Sequence, residues 1–472
     1  MSKIDKKFKF KLKVPNTYLL IFSLLVIIAA LTWIIPGGEY DRTTMNGREV
    51  VVQNSFKYVD SNPQGFFALF ISPLKGFVEA GLIIGFVLIV GGAFNVLAKT
   101  KAIDSLINKL AKAHKKSKSL RIMFIPILLI MFSLGGATFG MNEEIIPFVL
   151  IIVPICLALG YDSIVGVAIP LVGAHVGFAS AFLNPFNVGI AQGIAEVPLF
   201  SGIGYRVICW VISTIVAILF MLYYVKKISK NPEASPTYAE DNIRRKNEHF
   251  EHIYNNDNHF SLKHKLVLIT FSLSLIMLVI GVIEFKWFIE EIAAMFFIMG
   301  ILVGIIGGLK SEELIKAFID GAKDLVGTAF IIALARATLV ISRDGQIIDS
   351  ILYGLAPLIE SSSPILASQK MFVVQAIINF FVHSGSGQAA LTMPIMAPLS
   401  DLAGVSRQTA ILAFQLGEYT NIIIPTSAVT MGALAMAKVP WDKWAKWVFP
   451  LLIIFFILGF LLLIPPNLMG WD

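Results

Sequence analysis

Glu143 and Glu144 are adjacent carboxylates at the end of Gly135-Gly-Ala-Thr-Phe-Gly-Met-Asn-Glu-Glu144, a small-residue break inside a long apolar stretch. Carboxylates in such a place could hold an ammonium or guanidinium group, a sodium ion or a proton. Thr138 and Asn142 stand beside them. A second apolar stretch carries His383-Ser-Gly-Ser-Gly-Gln388, which brings His383, Ser384, Ser386 and Gln388 to another glycine-rich turn. Two further breaks contain proline: Asn184-Pro-Phe-Asn187, with Asn184 and Asn187, and Ile424-Pro-Thr-Ser427, with Thr426 and Ser427. Glu418 lies about two helical turns before the latter and one turn from Asn421. Glycine permits the tight turn, proline removes a helical donor, and small polar side chains stand in for missing backbone partners. Half-helix ends exposed in this way can bind anions or coordinate cations. Arg336, near the middle of its apolar run, is a possible counter-ion. His175 and Gln415 occupy equivalent places in the two halves, which predicts a shared cavity-facing orientation; a lone intramembrane histidine also reads as a structural hydrogen-bonder or a proton carrier.

Other chemistry finds little footing. Cys156 and Cys209 both sit in apolar runs, so no disulfide framework and no C-x-x-C pair is present. Gly385-Ser-Gly-Gln-Ala-Ala390 matches a loose dinucleotide pattern without a βαβ setting. Ser386 with His383 or His175 raises an intramembrane serine hydrolase, but Ser384-Gly-Ser-Gly387 lacks the first glycine of a nucleophile elbow. H-E-x-x-H and the P-loop are absent from the sequence. No enzyme activity, cofactor or metal is expected; a coupling proton or sodium ion is the further ligand these residues could take.

The elements that must position these groups are membrane helices. The 472 residues are 56% hydrophobic and only 15% charged, with a net charge of +7 and a mean hydropathy of +0.78; soluble domains carry about 25% charged residues. Full spans are expected at about 17–36, 78–98, 203–225, 264–283, 289–308, 325–342 and 446–464. The first run is long and lacks a small-residue cleavage site, so it reads as an uncleaved helix. Lysines flank it on the N-terminal side, a second cluster runs from Lys109 to Arg121, and a third basic group lies at 226–265. The bias of basic residues toward the inside puts all three in the cytoplasm and the C-terminus outside. These residues act as topology signals, so nucleic acid is not an expected partner; the lipid bilayer and a small-molecule substrate are.

The halves repeat. Lys75-Gly-Phe-Val-Glu79 matches Lys316-Ala-Phe-Ile-Asp320, and Pro147, Gly177, Pro185 and Pro198 pair in order with Pro394, Gly417, Pro425 and Pro440. Charge places the paired spans in opposite orientations, with the helix at 264–283 as the unpaired crossing that inversion requires. Inverted repeats are a hallmark of secondary transporters. The expected organisation is a basic N-terminus at 1–16, a first helix at 17–36, and a first repeat at 64–225 with a hairpin at about 121–160 and a broken helix at about 163–198. A cytoplasmic linker follows at 226–263, then the crossing helix at 264–283. A second repeat at 289–465 has its hairpin at about 368–402 and its broken helix at about 407–438, and a tail ends the chain at 466–472. A channel is the competing class without saturation or counter-substrate stimulation.

Together, Gly135–Glu144, Leu159-Gly-Tyr-Asp-Ser-Ile-Val-Gly-Val-Ala168, Ala181-Phe-Leu-Asn-Pro-Phe-Asn-Val-Gly-Ile-Ala-Gln192 and His383–Gln388 resemble the bacterial YfcC family over nearly the whole chain. The resemblance implies an all-α polytopic protein of the bacterial inner membrane, with two re-entrant hairpins and two broken helices of the ion transporter superfamily type. It further implies a dimerising scaffold, a transport part moving as an elevator, and kinship with arginine/ornithine-type antiporters and, more distantly, C4-dicarboxylate carriers. Sodium-coupled dicarboxylate members of that superfamily carry Ser-Asn-Thr at their hairpin tips, whereas this chain has Asn142-Glu-Glu144 and His383-Ser-Gly-Ser386. The expected activity is exchange of small, basic amino acids by alternating access; the alternative is a C4-dicarboxylate or other short carboxylate, which would use Arg336 and Arg206.

Overall fold

The computed structural model describes residues 17–45, 48–52, 54–103, 105, 118–247, 261–285, 287, 289–359 and 363–471. The basic N-terminus at 1–16, the lysines at 109–116 and residues 248–260 of the expected linker lie outside the described residues. Apolar runs become helices as the sequence predicts. The chain opens with α1 (Thr17–Leu31), followed by a short ribbon of β1 (Gly38–Glu39), β2 (Arg42–Met45), β3 (Arg48–Val51) and β4 (Lys57–Tyr58). The first half continues with α2 (Phe66–Glu79), α3 (Gly81–Lys99), α4 (Lys118–Thr138), α5 (Ile145–Ala158) and α6 (Ser163–Ala179). A π-helical turn at Pro185–Gly189 then leads into α7 (Ile190–Ile194) and α8 (Ile203–Lys230). Next come α9 (Tyr238–Asn247), α10 (Leu262–Phe285) and α11 (Ile289–Gly307), the last at the start of the second repeat as the sequence bounds it. The second half continues with α12 (Ser311–Asp324), α13 (Val326–Asp344), α14 (Ile347–Leu355), α15 (Pro364–Phe381), α16 (Gly385–Leu402) and α17 (Arg407–Gly417). After a 3-10 turn at Glu418–Ile422 come α18 (Ala428–Met436), α19 (Trp441–Leu462) and α20 (Ile464–Met469). Among the described residues, six helical segments are long and apolar enough to cross a bilayer; α1 opens at the first described residue, with 15 residues described.

The helices that open the two halves match in length. Helices α2 and α12 each have 14 residues, and α3 and α13 each have 19, with a one-residue break at Ala80 and at Leu325. These ends set Glu79 opposite Asp324, so the Lys75–Glu79 and Lys316–Asp320 match is displaced by about one turn from the structural correspondence. Packing follows the same exchange: α2 lies on α13 while α3 lies on α12, and α7 lies on α16 while α5 lies on α18. Within each half, α4 packs along α6 and α15 along α17. Glycine permits the closest of these approaches. A Cβ on Gly177 would stand 1.9 Å from the Ser133 carbonyl oxygen, and one on Gly136 would stand 2.1 Å from that of Ala174, far inside van der Waals contact. Asp162 and Ser406 cap the equivalent helices α6 and α17 by accepting from the Val165 and Thr409 amides at 2.9 and 3.2 Å.

Two features depart from the sequence reading. The all-α expectation omits the ribbon, whose β2 and β3 pair antiparallel and which is tied to α14: Arg42 Nη2 reaches both carboxylate oxygens of Asp349 at 3.1 and 3.0 Å, and the Tyr40 amide donates to Asp349 at 2.9 Å. Residues 232–247 of the expected linker are docked structure. Arg244 donates to the Ala437 carbonyl at 2.7 Å, Arg245 to the Tyr161 carbonyl at 2.6 Å, and Lys443 pairs with Glu240. Beneath α9, Asp162 accepts from the Tyr224 and Ser235 hydroxyls at 2.5 and 2.6 Å, while Asp241 accepts from Thr237 at 2.8 Å and from the Ser163 amide at 2.8 Å. Composition alone reads that polar stretch as solvated; in the fold these polar groups bond to one another.

Candidate functional site

The breaks are strapped together by side chains. In the first, Asn184 accepts through Oδ1 from the Phe186 and Asn187 amides at 2.8 and 3.3 Å, and its Nδ2 donates to the Gly136 carbonyl at 3.1 Å. In the second, Thr426 donates to the Phe380 carbonyl at 2.7 Å, Asn379 donates to Thr420 and Asn421 at 2.6 and 3.0 Å, and Thr430 donates to the Asn421 carbonyl at 2.6 Å. Each break is thus bonded to the helix before its own half's tip. Two indoles complete the second: Trp444 donates to the Ile422 carbonyl at 2.7 Å and Trp441 to that of Ile423 at 2.8 Å. A bond joins the halves at their breaks, from Asn187 Nδ2 to Glu418 Oε2 at 2.9 Å, with Asn187 also donating to the Phe178 carbonyl at 2.7 Å.

The turns between α4 and α5 and between α15 and α16 meet at a cavity of about 490 Å³. Gly140, at φ +79°, makes the first turn, and the Asn142 amide donates to Glu144 at 2.8 Å. Ser384 caps α16 by accepting from the Gly387 amide at 3.3 Å, and Ser427 caps α18 by accepting from the Thr430 amide at 3.2 Å. Asn142, Glu143, Glu144, His383, Ser384, Ser386, Ser427 and Arg336 all line the cavity, with Phe178, Phe186, Leu82 and Ile83 as apolar wall. Two helix N-termini and their serines therefore face two carboxylates. Buried His383 Nδ1 has no hydrogen-bond partner among the described residues.

The other nominated residues do not line this cavity. His175 is 3% exposed and its Nδ1 bonds the Leu171 carbonyl of its own helix at 2.8 Å. Gln415, its repeat equivalent, donates to the Ala181 carbonyl at 3.0 Å, so the predicted cavity-facing orientation of this pair gives way to backbone bonding. Thr138 bonds the Leu134 carbonyl at 2.7 Å, and Gln388 is buried against Gln375 at 2.8 Å. Asn184, Asn187, Asn421, Thr426 and Glu418 hold the breaks, although Glu418 Oε1 is buried without a partner among the described residues. Arg206 is fully buried and bonds Gln408 at 3.0 Å, away from the cavity. Arg336 does not pair with Glu143, Glu144 or Glu418; its Nε lies 3.3 Å from Glu79.

Glu79 is the lining residue that sequence reasoning missed. It also pairs with Arg343 at 2.5 Å. The available signal was an acidic residue two positions before Gly81, which opens an apolar run. Among the described residues, neither Glu143 nor Glu144 forms an ion pair.

The model of the C4-dicarboxylate anaerobic carrier family matches residues 14–466. A relative from Escherichia coli (strain K12), named "Putative basic amino acid antiporter YfcC", is 36% identical, with 97% of each chain covered. An uncharacterised protein of Haemophilus influenzae is 29% identical, with 98% of each covered. Among solved structures, the YdaH transporter of Alcanivorax borkumensis aligns with 97% of this chain and 99% of its own at 14% identity and a TM-score of 0.42. With its several bilayer-length apolar helices and its match across almost the whole length, the chain is a multi-pass membrane transporter and belongs to the YfcC family, within the C4-dicarboxylate anaerobic carriers.

Proposed function

We propose that this transporter exchanges small amino acids with cationic side chains, arginine and ornithine among them, across the bacterial inner membrane. The observation that carries this reading is the charge inside the cavity. Among the described residues its lining has Glu79, Glu143 and Glu144 against Arg336, and Glu79 alone of the three carboxylates has ion-pair partners. A guanidinium or ammonium group supplies the missing charge at Glu143 and Glu144, while the serines and helix N-termini across the cavity suit the polar remainder of an amino acid. The name of the Escherichia coli relative points the same way. A C4-dicarboxylate, favoured by the family's description and by Arg336, would bring two negative charges to that lining.

In this reading, the α4–α5 and α15–α16 units are re-entrant hairpins, and the two halves stand inverted across the bilayer. Alternating access then proceeds by elevator-like movement of the hairpins and broken helices against a dimerising scaffold, with the N-terminus in the cytoplasm and the C-terminus outside. The exchange of packing partners between the halves supports the repeat. The test is uptake of labelled arginine into liposomes containing purified protein, with ornithine, fumarate or buffer trapped inside. Stimulation by ornithine is expected. Absence of arginine uptake, with exchange of fumarate instead, would overturn the cationic reading.

A further inference from the structure

Arg336 and Arg343 lie two turns apart on α13, and both reach Glu79 at the end of α2. Arg343 Nη2 holds Oε1 at 2.5 Å, and Arg336 Nε holds Oε2 at 3.3 Å. Lys75 and Arg343 flank Asp344 at 2.6 and 3.7 Å and complete the network. The two arginines are used differently. Arg336 is engaged only at its root: its terminal amino groups, which carry four of the five guanidinium N–H donors, make no hydrogen bond among the described residues, and the residue lines the cavity.

Other arginines of this chain show what a purely structural pair looks like. Arg42 turns its end onto both oxygens of Asp349 and gives Nη1 to the Tyr40 carbonyl at 3.1 Å. Arg407 places Nε and Nη2 on Asp401 and gives Nη1 to the Ala195 carbonyl and to Glu196. Arg336 keeps its fork free, at a cavity wall, with its root fixed by a carboxylate that is itself anchored by a second arginine. A guanidinium so held can take a carboxylate through two parallel N–H···O bonds without first being ordered.

We propose that Arg336 is the subsite for the carboxylate of the transported molecule and that Glu79 is the positioning residue that aims it. This deepens the amino-acid reading and rests on it: the substrate lies with its carboxylate toward α13 and its cationic end toward Glu143 and Glu144. The site then separates amino acids from the amines they become on decarboxylation, which keep the cation and lose the group Arg336 reads.

The experiment is competition against labelled-arginine counterflow in liposomes by unlabelled arginine and by agmatine, which is arginine without its carboxylate. The wild-type protein should prefer arginine by about tenfold or more, the worth of a charge-assisted pair. In Arg336→Gln the preference falls to near one because arginine weakens while agmatine is held or strengthened. Arg336→Lys restores part of it. Glu79→Gln gives an intermediate ratio through a raised arginine KM with kcat retained. Agmatine competition in each variant shows that the protein is folded, and Arg336→Gln leaves the Glu79–Arg343 pair in place. An unchanged ratio in Arg336→Gln overturns the assignment while leaving cationic exchange standing. If the wild-type protein exchanges fumarate rather than arginine, the cationic reading falls and the assignment is still decided: Arg336→Gln must then abolish fumarate exchange, and its survival overturns the subsite.

Discussion

The bond between Asn187 and Glu418 joins the two breaks, and its removal should show an unusual sign pattern. Asn187→Ala deletes the donor to Glu418 Oε2 at 2.9 Å and the donor to the Phe178 carbonyl at 2.7 Å. Glu418 is 1% exposed and its Oε1 already lacks a partner, so the variant leaves a buried carboxyl with neither oxygen satisfied among the described residues. Leaving a buried acceptor without its hydrogen bond costs about 1–3 kcal/mol in soluble proteins. Polar pairs between membrane helices average about 0.6 and reach about 1.7 kcal/mol. A loss of about 2 kcal/mol is therefore expected for Asn187→Ala. Glu418→Leu should cost less, because it removes the unsatisfied carboxyl itself while Asn187 keeps its bond to the Phe178 carbonyl. The double variant should then recover about 1 kcal/mol relative to the sum of the singles. Unfolding in mixed dodecylmaltoside and dodecylsulfate micelles, followed by tryptophan fluorescence, measures all four corners of the cycle. A coupling below about 0.4 kcal/mol, the ordinary scatter of additivity, would refute the claim that this bond holds the halves together.

Three further outcomes are expected. Gly177→Ala should cost about 3 kcal/mol, the upper range of overpacking, because its Cβ meets the Ser133 carbonyl at 1.9 Å; Gly85→Ala, with open space around it, should be neutral or gain up to about 1 kcal/mol of helix propensity. Detergent melting curves of the two compare them. Glu143→Gln and Glu144→Gln should each lower arginine uptake at least about tenfold while leaving the melting curve unchanged, and normal uptake in both would remove these carboxylates from the mechanism. Under α9, burial raises the Asp162 carboxyl above the ordinary aspartate range, against the bonds from Ser235, Tyr224 and the Val165 amide and aided by the charge of Asp241. A raised acid binds its proton in the fold while the unfolded chain has released it, so its contribution is full below about pH 4 and is lost as pH rises through the folded value. Asp162→Asn should flatten that decline in a pH series of melting temperatures, and parallel curves would contradict it.

Much of the backbone plan is written locally. Apolar runs beginning at 203 and 289 become helices at those residues, and Asn184, Ser384 and Ser427 announce helix starts by the same capping chemistry the structure displays. The ribbon had a signal too: Asn46-Gly47 stands between two short runs, the dipeptide most often found at two-residue hairpins. Hydropathy passes over it because its strands are short and polar. Glu79 was illegible for a different reason. At the end of an apolar run, an acidic residue reads as an interfacial charge; its place in the cavity depends on α2 crossing α13, where a Cβ on Gly76 would stand 2.3 Å from the Ala333 carbonyl oxygen, and no local pattern encodes that crossing. His175 and Gln415 show the converse. A polar residue that bonds a buried carbonyl and one that faces a cavity have the same sequence signature, and only packing separates them.

Repetition of the backbone and asymmetry of its chemistry together constrain what the site can hold. Each half contributes a turn and a break to the same region, yet the first turn offers Glu143 and Glu144, and the second offers His383, Ser384 and Ser386. At the breaks Asn184, Asn187, Asn421 and Thr426 are spent on structural hydrogen bonds; Ser427 and the residues at the turns, with the fork of Arg336, line the cavity. A ligand with one kind of charge would satisfy one side of such a cavity and oppose the other. A molecule that is itself polarised, cationic at one end and carboxylate at the other, complements both, and the spacing between its charges then sets which members of that class fit. Chain length should therefore discriminate more sharply than side-chain bulk: lysine and ornithine, which differ by one methylene, compared as competitors, probe the span from the turn carboxylates to Arg336, and equal competition by the two would contradict a two-pole site.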